Sequence, residues 1–207
     1  FKDSLPPSNI LVWHTPGPVQ GIDSSNQIRS DTGELLREAF LLDLQPDLIH
    51  VSSLFEGFVD DALTSIGRLQ NPAVVSVTLY DLIPLLYSDA YLSSNPVYAK
   101  FYKRRLDTLK QASVFLAISE SSRLEGINCL CLDSDLFINI FAAVESNFQP
   151  LSHDEYSIKA LNQKLGIQLP FLLYTGGADE RKNLPRLVEA YAKLPKTLRS
   201  SYHLLLA

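Results

Sequence analysis

The 207-residue sequence contains no methionine, only two cysteines and a single tryptophan. Cys129 and Cys131 are one residue apart, a spacing that suits neither a long-range disulfide framework nor a CxxC metal knuckle. We expect both to be reduced, packed thiols on the same face of a strand, because alternate strand positions share a face. Reduced thiols fit a cytoplasmic protein.

Long apolar runs and several well-known short motifs are also missing. No run approaches the roughly 20 apolar residues of a transmembrane helix, and no signal peptide is recognisable. GxSxG, Walker A, HExxH and zinc-ligand spacings do not occur, so we expect no metal site. His14 and His50 lie in or beside apolar strands, where a histidine is more often structural than a ligand.

The charge balance limits the classes of partner. A net charge of −5 and a pI near 5.3 argue against a broad nucleic-acid-binding surface. One predicted helix is basic, and a solvated helix face is favoured for it, with contact to an anionic membrane as the alternative. Its cations are Lys100, Lys103, Arg104, Arg105 and Lys110.

Strands alternate with helices along the chain, which favours an α/β fold with a parallel sheet. The apolar runs predict strands at residues 9–14, 48–51, 73–79, 114–118, 137–141, 171–174 and 203–207, of which 73–79 reads as covered on both faces. Helical patterns occupy residues 35–44 after a capping box of Asp31 and Glu34, then 55–66, 97–111, a segment capped by Ser119 or Ser121, 158–165 and 184–194.

A polar, proline-containing stretch at residues 145–157 separates two strand-rich regions and is the best linker candidate. We therefore expect an N-terminal domain over residues 1–150, and a linker with the beginning of a second domain over 151–207. Because the sequence starts at Phe1, contains no methionine and stops within a predicted strand, we expect it to be a middle portion of a longer protein.

A glycine turn between a strand and a helix is the strongest candidate for an anion-binding site. Glycines allow a ligand to approach the backbone, and a helix N-terminus offers free N–H groups and a positive dipole end. Arg181 and Lys182 add two full charges at the turn. A plain connecting turn with a solvated basic pair is the alternative. The candidate residues are Gly176, Gly177, Arg181, Lys182 and Asn183.

Polar side chains also follow two of the predicted strands, at the carboxyl ends where open parallel sheets bind ligands. Each group has a structural alternative: Asp81 as a turn cap before Pro84, and Ser119 as a helix cap. The candidates are Tyr80, Asp81, Ser119, Glu120 and Arg123.

Four segments in order resemble retaining GT-B glycosyltransferases. Residues 171–194 are similar to the start of that family's C-terminal domain, with its glycine turn, acidic step and Arg-Lys-Asn triplet. Residues 46–51, 78–85 and 117–123 are similar to its preceding strand and strand-to-loop segments. Together they cover most of residues 35–207.

The resemblance implies two Rossmann-like domains, the second only partly present, and transfer of a sugar with retention from a nucleotide-sugar donor. It favours mannose, with GDP-mannose as donor and a polysaccharide or O-antigen precursor as acceptor, without a metal or other cofactor. We expect a cytoplasmic location, with the inner face of the membrane as the alternative. The resemblance also implies that Lys182 and its turn contact the donor diphosphate, that the residues from Tyr80 to Arg123 named above line the acceptor side, and that the family's carboxylates lie beyond Ala207.

Two positions depart from the family. Gly177 stands where many members have arginine, and Tyr80 stands where many have histidine. A non-catalytic, GT-B-like binding or scaffold subunit therefore stays open as an alternative. A related GT-B enzyme of another reaction type, such as a nucleotide-sugar epimerase, is a second alternative.

Overall fold

The computed structural model describes residues 5–149, 155–167 and 170–207, without the side chains of 155–158 and 161. Within the chain, Phe1–Ala143 and Val144–Ala207 form two compact units. The domain boundary predicted at residues 150 and 151 falls outside the described residues, so it stays a prediction.

The first unit is built on a parallel sheet of four strands in the order β1-β2-β3-β4. The strands are β1 (Leu48–Val51), β2 (Val74–Leu79), β3 (Val114–Ala117) and β4 (Phe137–Asn139). The helices are α1 (Gln27–Asp43), the short α2 (Ile83–Leu86), α3 (Pro96–Leu109) and α4 (Glu120–Leu130). Short 3₁₀ segments at Pro7–Asn9, Ser24–Asn26 and Ser134–Leu136 and a π-helical turn at Asp89–Ser93 complete the unit. The prediction of an α/β fold with a parallel sheet is confirmed.

One face of this sheet carries the core. Alternate residues of the central strands, such as Val77 and Phe115, pack against Leu109 of α3 and Leu130 of α4. The register sets Phe115 beside Phe137, and their rings stack with centroids 4.4 Å apart. The hydrophobic effect therefore fixes α3 and α4 on this face.

The opposite face is only partly covered by the residues that the structure describes. Leu48 is 55% exposed, Val74 46% and Ile138 51%. Strand β2 was expected to be covered on both faces. This expectation is wrong at Val74, because the helices that supply core residues pack on the other face of the sheet.

Two predicted elements do not form. Residues 9–14 pair with no strand of the described chain, and Val12 is 66% exposed. Residues 55–66 form an irregular loop, because Gly57 has a positive φ of 94° and a Cβ there would lie 2.2 Å from the Ala62 carbonyl oxygen. Such a tight reversal excludes a continuous helix.

Helix α1 begins earlier than predicted. The Asp23 carboxylate accepts a hydrogen bond from Ser25 N and starts a 3₁₀ turn, which continues directly into α1 at Gln27. Asp31 and Glu34 therefore lie inside the helix, and the predicted capping box is wrong.

The two cysteines are not bonded to each other, and they do not share a strand. Cys129 lies in α4, and Cys131 ends that helix in the left-handed conformation, with φ 54°. Cys131 is exposed, so the prediction that both thiols are packed is wrong for it.

The second unit contains a parallel pair of strands, β5 (Phe171–Tyr174) and β6 (His203–Leu206), in the predicted strand–turn–helix–strand order. Helices α5 (Glu155–Leu165), α6 (Leu184–Ala192) and α7 (Lys196–Ser201) accompany them. The Tyr191 hydroxyl donates to the Tyr202 carbonyl oxygen at 2.6 Å and ties α6 to the start of β6. Among the described helices, none has the length and hydrophobicity needed to cross a membrane.

Candidate functional site

The carboxyl ends of β2 and β3 form one edge of the sheet. These strands are adjacent and parallel, with Leu79 beside Ala117, so the residues after each strand leave at the same side. The Ser122 hydroxyl donates to the Tyr80 carbonyl oxygen at 2.5 Å and joins the two segments directly. The predicted shared edge is confirmed, while the ligand-binding roles of its residues stay predictions.

Ser119 begins α4. Its backbone is extended, and its hydroxyl accepts a hydrogen bond from Ser122 N at 3.1 Å. This is the N-cap geometry that satisfies a free amide of the first turn. Ser121 is exposed and does not cap the helix. Ser119 is therefore a helix cap, the structural alternative that its sequence offers, and it lies at the edge where β3 ends.

Glu120 and Arg123 form an ion pair at this edge. Arg123 Nε lies 3.0 and 2.9 Å from the two Glu120 carboxylate oxygens, and a terminal nitrogen lies 2.7 Å from Oε1. Asn139 Nδ2, at the end of β4, donates to Glu120 Oε2 at 3.4 Å. The hydrogen bonds from Arg123 lower the pKa of the Glu120 carboxyl, and those to Glu120 raise the pKa of Arg123. Both groups are therefore ionised and mutually oriented.

Asp81 holds the turn after β2. Its Oδ1 accepts a hydrogen bond from Ile83 N at 3.0 Å, the turn-capping role that the sequence offers as an alternative. Its charge also reaches α3, where burial first and Asp81 second raise the pKa of Tyr98.

The glycine turn of the second unit has the backbone that its sequence predicts. Gly176 has a φ of 143°, which residues with a side chain rarely adopt. The Tyr174 hydroxyl donates to the Gly177 carbonyl oxygen at 3.0 Å and fixes the turn. A Cβ on Gly177 would have no atom within 4 Å, so internal packing does not demand glycine there.

The two cations after this turn differ. Asp179 accepts from Arg181 N at 3.0 Å, and Arg181 Nε lies 3.6 Å from the same carboxylate. Within the described residues, the Lys182 ammonium has no hydrogen-bond or ion-pair partner. Asn183, left-handed at φ 54°, leads into α6 without a side-chain cap. Lys182 is therefore the cation at the turn that stays available to a ligand.

Sequence reasoning missed a buried charge cluster. Glu34 of α1 contacts Arg104 and Arg105 of α3, with Arg105 Nη1 at 3.0 Å from Glu34 Oε1. Arg105 is 3% exposed, so its predicted place on the wet side of the helix is wrong. The neighbouring Leu35 and Leu36 are 39% and 52% exposed, so the local sequence carries no signal that Glu34 is buried.

A cavity of about 270 Å³ lies next to this cluster, between the start of α1 and the first half of α3. We call it the α1–α3 pocket; residues within 19–34 and 96–105, together with Gly57, line it. The described residues contain no group of histidine, cysteine, aspartate and glutamate side chains that could hold a metal ion.

Comparison with known proteins adds a specific similarity, although no protein-family model matches the chain. Over all 207 residues the chain is 30% identical to the serotype-specific mannosyltransferase WbdA of Escherichia coli, of which it covers 25%. Over 101 residues, 49% of the chain, it is 31% identical to the O-antigen chain mannosyltransferase B of Escherichia coli, of which it covers 26%. The chain thus spans about a quarter of the length of these curated relatives.

Proposed function

We propose that this chain is part of a glycosyltransferase that moves mannose from a nucleotide-sugar donor to a saccharide acceptor in O-antigen synthesis. The observation that carries the proposal is the 30% identity to the mannosyltransferase WbdA along all 207 residues. The similarity to a second mannosyltransferase, named for the O-antigen chain, supports the same sugar and the same class of product.

The parallel sheet of the first unit supports the acceptor side of this proposal. Open parallel sheets bind ligands where the strands end, and Tyr80, Asp81 and Ser119 stand at that edge. The Glu120–Arg123 pair adds oriented acceptors and donors for hydroxyl groups. These groups would position an acceptor saccharide without a metal.

The glycine turn supports the donor side. The open space over Gly177 lets a diphosphate approach the backbone. The Lys182 ammonium, which has no partner in the part of the chain that the structure describes, supplies positive charge. Charge grows on the leaving diphosphate as the glycosidic bond breaks, so a fixed cation stabilises the transition state more than the bound donor. We propose a GT-B arrangement with retention at the anomeric carbon for the whole enzyme, at the cytoplasmic face of the membrane.

The test is a transfer assay with the full-length protein. We expect mannose to pass from GDP-mannose to a synthetic mannoside with an apolar aglycone, and nuclear magnetic resonance of the product to show the anomeric configuration of the donor. UDP-glucose is the matched control donor. Tight binding of GDP-mannose without any product would contradict the transferase and favour a non-catalytic subunit, whereas a changed sugar still attached to the nucleotide would favour an epimerase.

A further inference from the structure

We infer that the α1–α3 pocket is a subsite for one neutral sugar ring of the acceptor, apart from the edge residues Tyr80 to Arg123. This assignment rests on the proposed glycosyltransferase function. Its volume of about 270 Å³ is below the roughly 300–1,000 Å³ of pockets for drug-sized ligands, so it suits a single ring.

The pocket is preformed. Gly21 N donates to the Gly57 carbonyl oxygen at 2.8 Å, and Val19 N donates to Asp61 Oδ1 at 2.8 Å. The buried Asn26 amide donates to the Gln20 carbonyl oxygen at 3.3 Å. These bonds hold the wall at residues 19–26 in place before a ligand arrives, which reduces the entropy lost on binding.

The guanidinium groups at the pocket are already engaged by carboxylates, and the other charges of its lining are mixed in sign. Arg105 is paired with Glu34, and Arg104 lies 2.5 Å from Asp31. Arg68 lies 3.6 Å from Asp31 and 3.5 Å from Glu34, so three guanidiniums share these two carboxylates. The two remaining charged groups of the lining are Lys100 and Asp23, one of each sign. Hydrogen bonds from Ser25 lower the pKa of Asp23, which keeps it ionised near neutral pH. A phosphate would meet both a cation and an anion here.

The uncommitted polar groups match a polyhydroxyl ring. A sugar presents hydroxyls that both donate and accept, together with an apolar C–H face, and Val19, Val97 and Phe101 supply apolar wall for that face. Hydroxyl, amide and ammonium groups can bond to such hydroxyls. Among the described residues, lining side chains without a hydrogen-bond partner of their own are those of Gln20, Ser24, Ser30 and Lys100.

The pocket lies on the same side of the sheet as the proposed acceptor edge. Gly57 belongs to the loop that leaves the carboxyl end of β1. Pro96 begins α3, and the far end of α3 leads into the start of β3, so Pro96 lies toward the carboxyl ends of the strands. A saccharide chain bound at the edge can therefore extend a further ring toward the pocket. Occupancy of this subsite would select acceptors longer than one sugar.

Two variants of α1 test the subsite in the full-length protein. Ser30→Leu fills the pocket, whereas Thr32→Leu makes the same kind of change on an exposed position of the same helix that does not line it. The probe is methyl α-mannoside, observed by saturation-transfer difference NMR. We expect Ser30→Leu to weaken binding by at least roughly tenfold, because the leucine side chain takes up the space of the ring, and Thr32→Leu to leave it unchanged.

Acceptor kinetics separate this proposal from the proposed function. With a dimannoside acceptor, we expect Ser30→Leu to raise the acceptor KM and leave the donor KM unchanged. Equal binding and equal acceptor KM in Ser30→Leu and Thr32→Leu would overturn the subsite while leaving a measured transfer reaction intact. Methyl α-mannoside binding that depends on Ser30, in a protein without transfer activity, would support a saccharide pocket and overturn its role in an acceptor site.

Two lysine variants test whether the pocket binds a neutral sugar or an anion. Lys100→Met removes the cation from the lining, and Lys103→Met removes one from an exposed position of the same helix outside it. Inorganic phosphate is the probe, followed by phosphorus NMR. Phosphate binding that is lost in Lys100→Met and kept in Lys103→Met would overturn the sugar assignment, whereas no phosphate binding in the wild type supports it.

Discussion

Glu34 and Arg105 form an ion pair at 3.0 Å in which the two side chains are only 3% and 4% exposed. Arg105 also donates to the carbonyl oxygens of Thr64 and Glu56, in the irregular loop after β1. Its guanidinium lies 5.0 Å from the centre of the Phe101 ring. Burial lowers the pKa of Arg105, and the charge of Glu34 opposes that effect. The ion pair and the two carbonyl contacts join α1, α3 and the loop.

Glu34→Gln should destabilise the first unit strongly. Removing one partner of a buried pair leaves the other charge uncompensated, which costs about 3–5 kcal/mol. Trp13, the single tryptophan, lies in the first unit, so its fluorescence can follow urea unfolding there. Asp31→Asn is the matched control, because the Asp31 side chain is 37% exposed and surface pairs contribute only about 0–1 kcal/mol. Equal urea midpoints for the two variants would contradict this account.

Ser119→Ala should lower stability by about 0.5–2 kcal/mol through loss of the α4 N-cap. Ser121→Ala should change it by less than about 0.5 kcal/mol, because Ser121 is exposed and does not cap the helix. Urea unfolding of both variants distinguishes the two serines that the sequence leaves as alternatives. A larger loss in Ser121→Ala would show that the helix begins two residues later.

Tyr102→Phe should reduce the loss of stability at alkaline pH. Burial raises the pKa of the Tyr102 hydroxyl above its usual value, with smaller contributions from Tyr98 and Asp81. Above about pH 10 the unfolded chain gives up this proton while the folded chain keeps it, so stability falls as pH rises. The urea midpoint should therefore decline less in Tyr102→Phe between about pH 8 and pH 10.5. The half-exposed Tyr87, changed to phenylalanine, should decline like the wild type.

Near neutral pH the Tyr102→Phe variant should be as stable as the wild type within about 1 kcal/mol. The Tyr102 hydroxyl is buried near the Leu85 backbone without hydrogen-bond geometry, and phenylalanine keeps the ring that stacks on Phe55 at 4.9 Å. A loss well above that amount would mean that the hydroxyl is bonded in solution.

The sequence predicted the sheet because its strands carry strong local signals. Residues 74–79 are rich in β-branched side chains and residues 114–117 are a continuous apolar run. Each predicts a strand without knowledge of the rest of the chain. The loop at residues 55–66 was predicted wrongly because its spacing of apolar residues resembles a helix. The positive φ of Gly57 decides that conformation, and a positive φ is not visible in spacing.

The sequence predicts the sheet edge of the candidate site but not the buried ion pair or the pocket. Strand order brings Tyr80 and Ser119 to one edge, which a parallel sheet makes predictable. The contact of Glu34 with Arg105 joins positions 71 residues apart, and the α1–α3 pocket arises from three separate segments. Neither leaves a local pattern, because each depends on how distant helices pack.

Lys182→Ala should slow mannose transfer in the full-length protein without unfolding it. A charge-assisted contact with the donor diphosphate is worth about 1.5–3 kcal/mol, which is about 10- to 150-fold in kcat/KM. Lys182→Arg should restore part of the loss, because the guanidinium keeps the charge but changes the geometry. Lys193→Ala is the control, an exposed lysine at the end of α6. The measurement is kcat/KM for GDP-mannose in the wild type and the three variants. Wild-type kinetics in a folded Lys182→Ala protein would leave Lys182 as a solvated surface cation and remove the turn from the donor site.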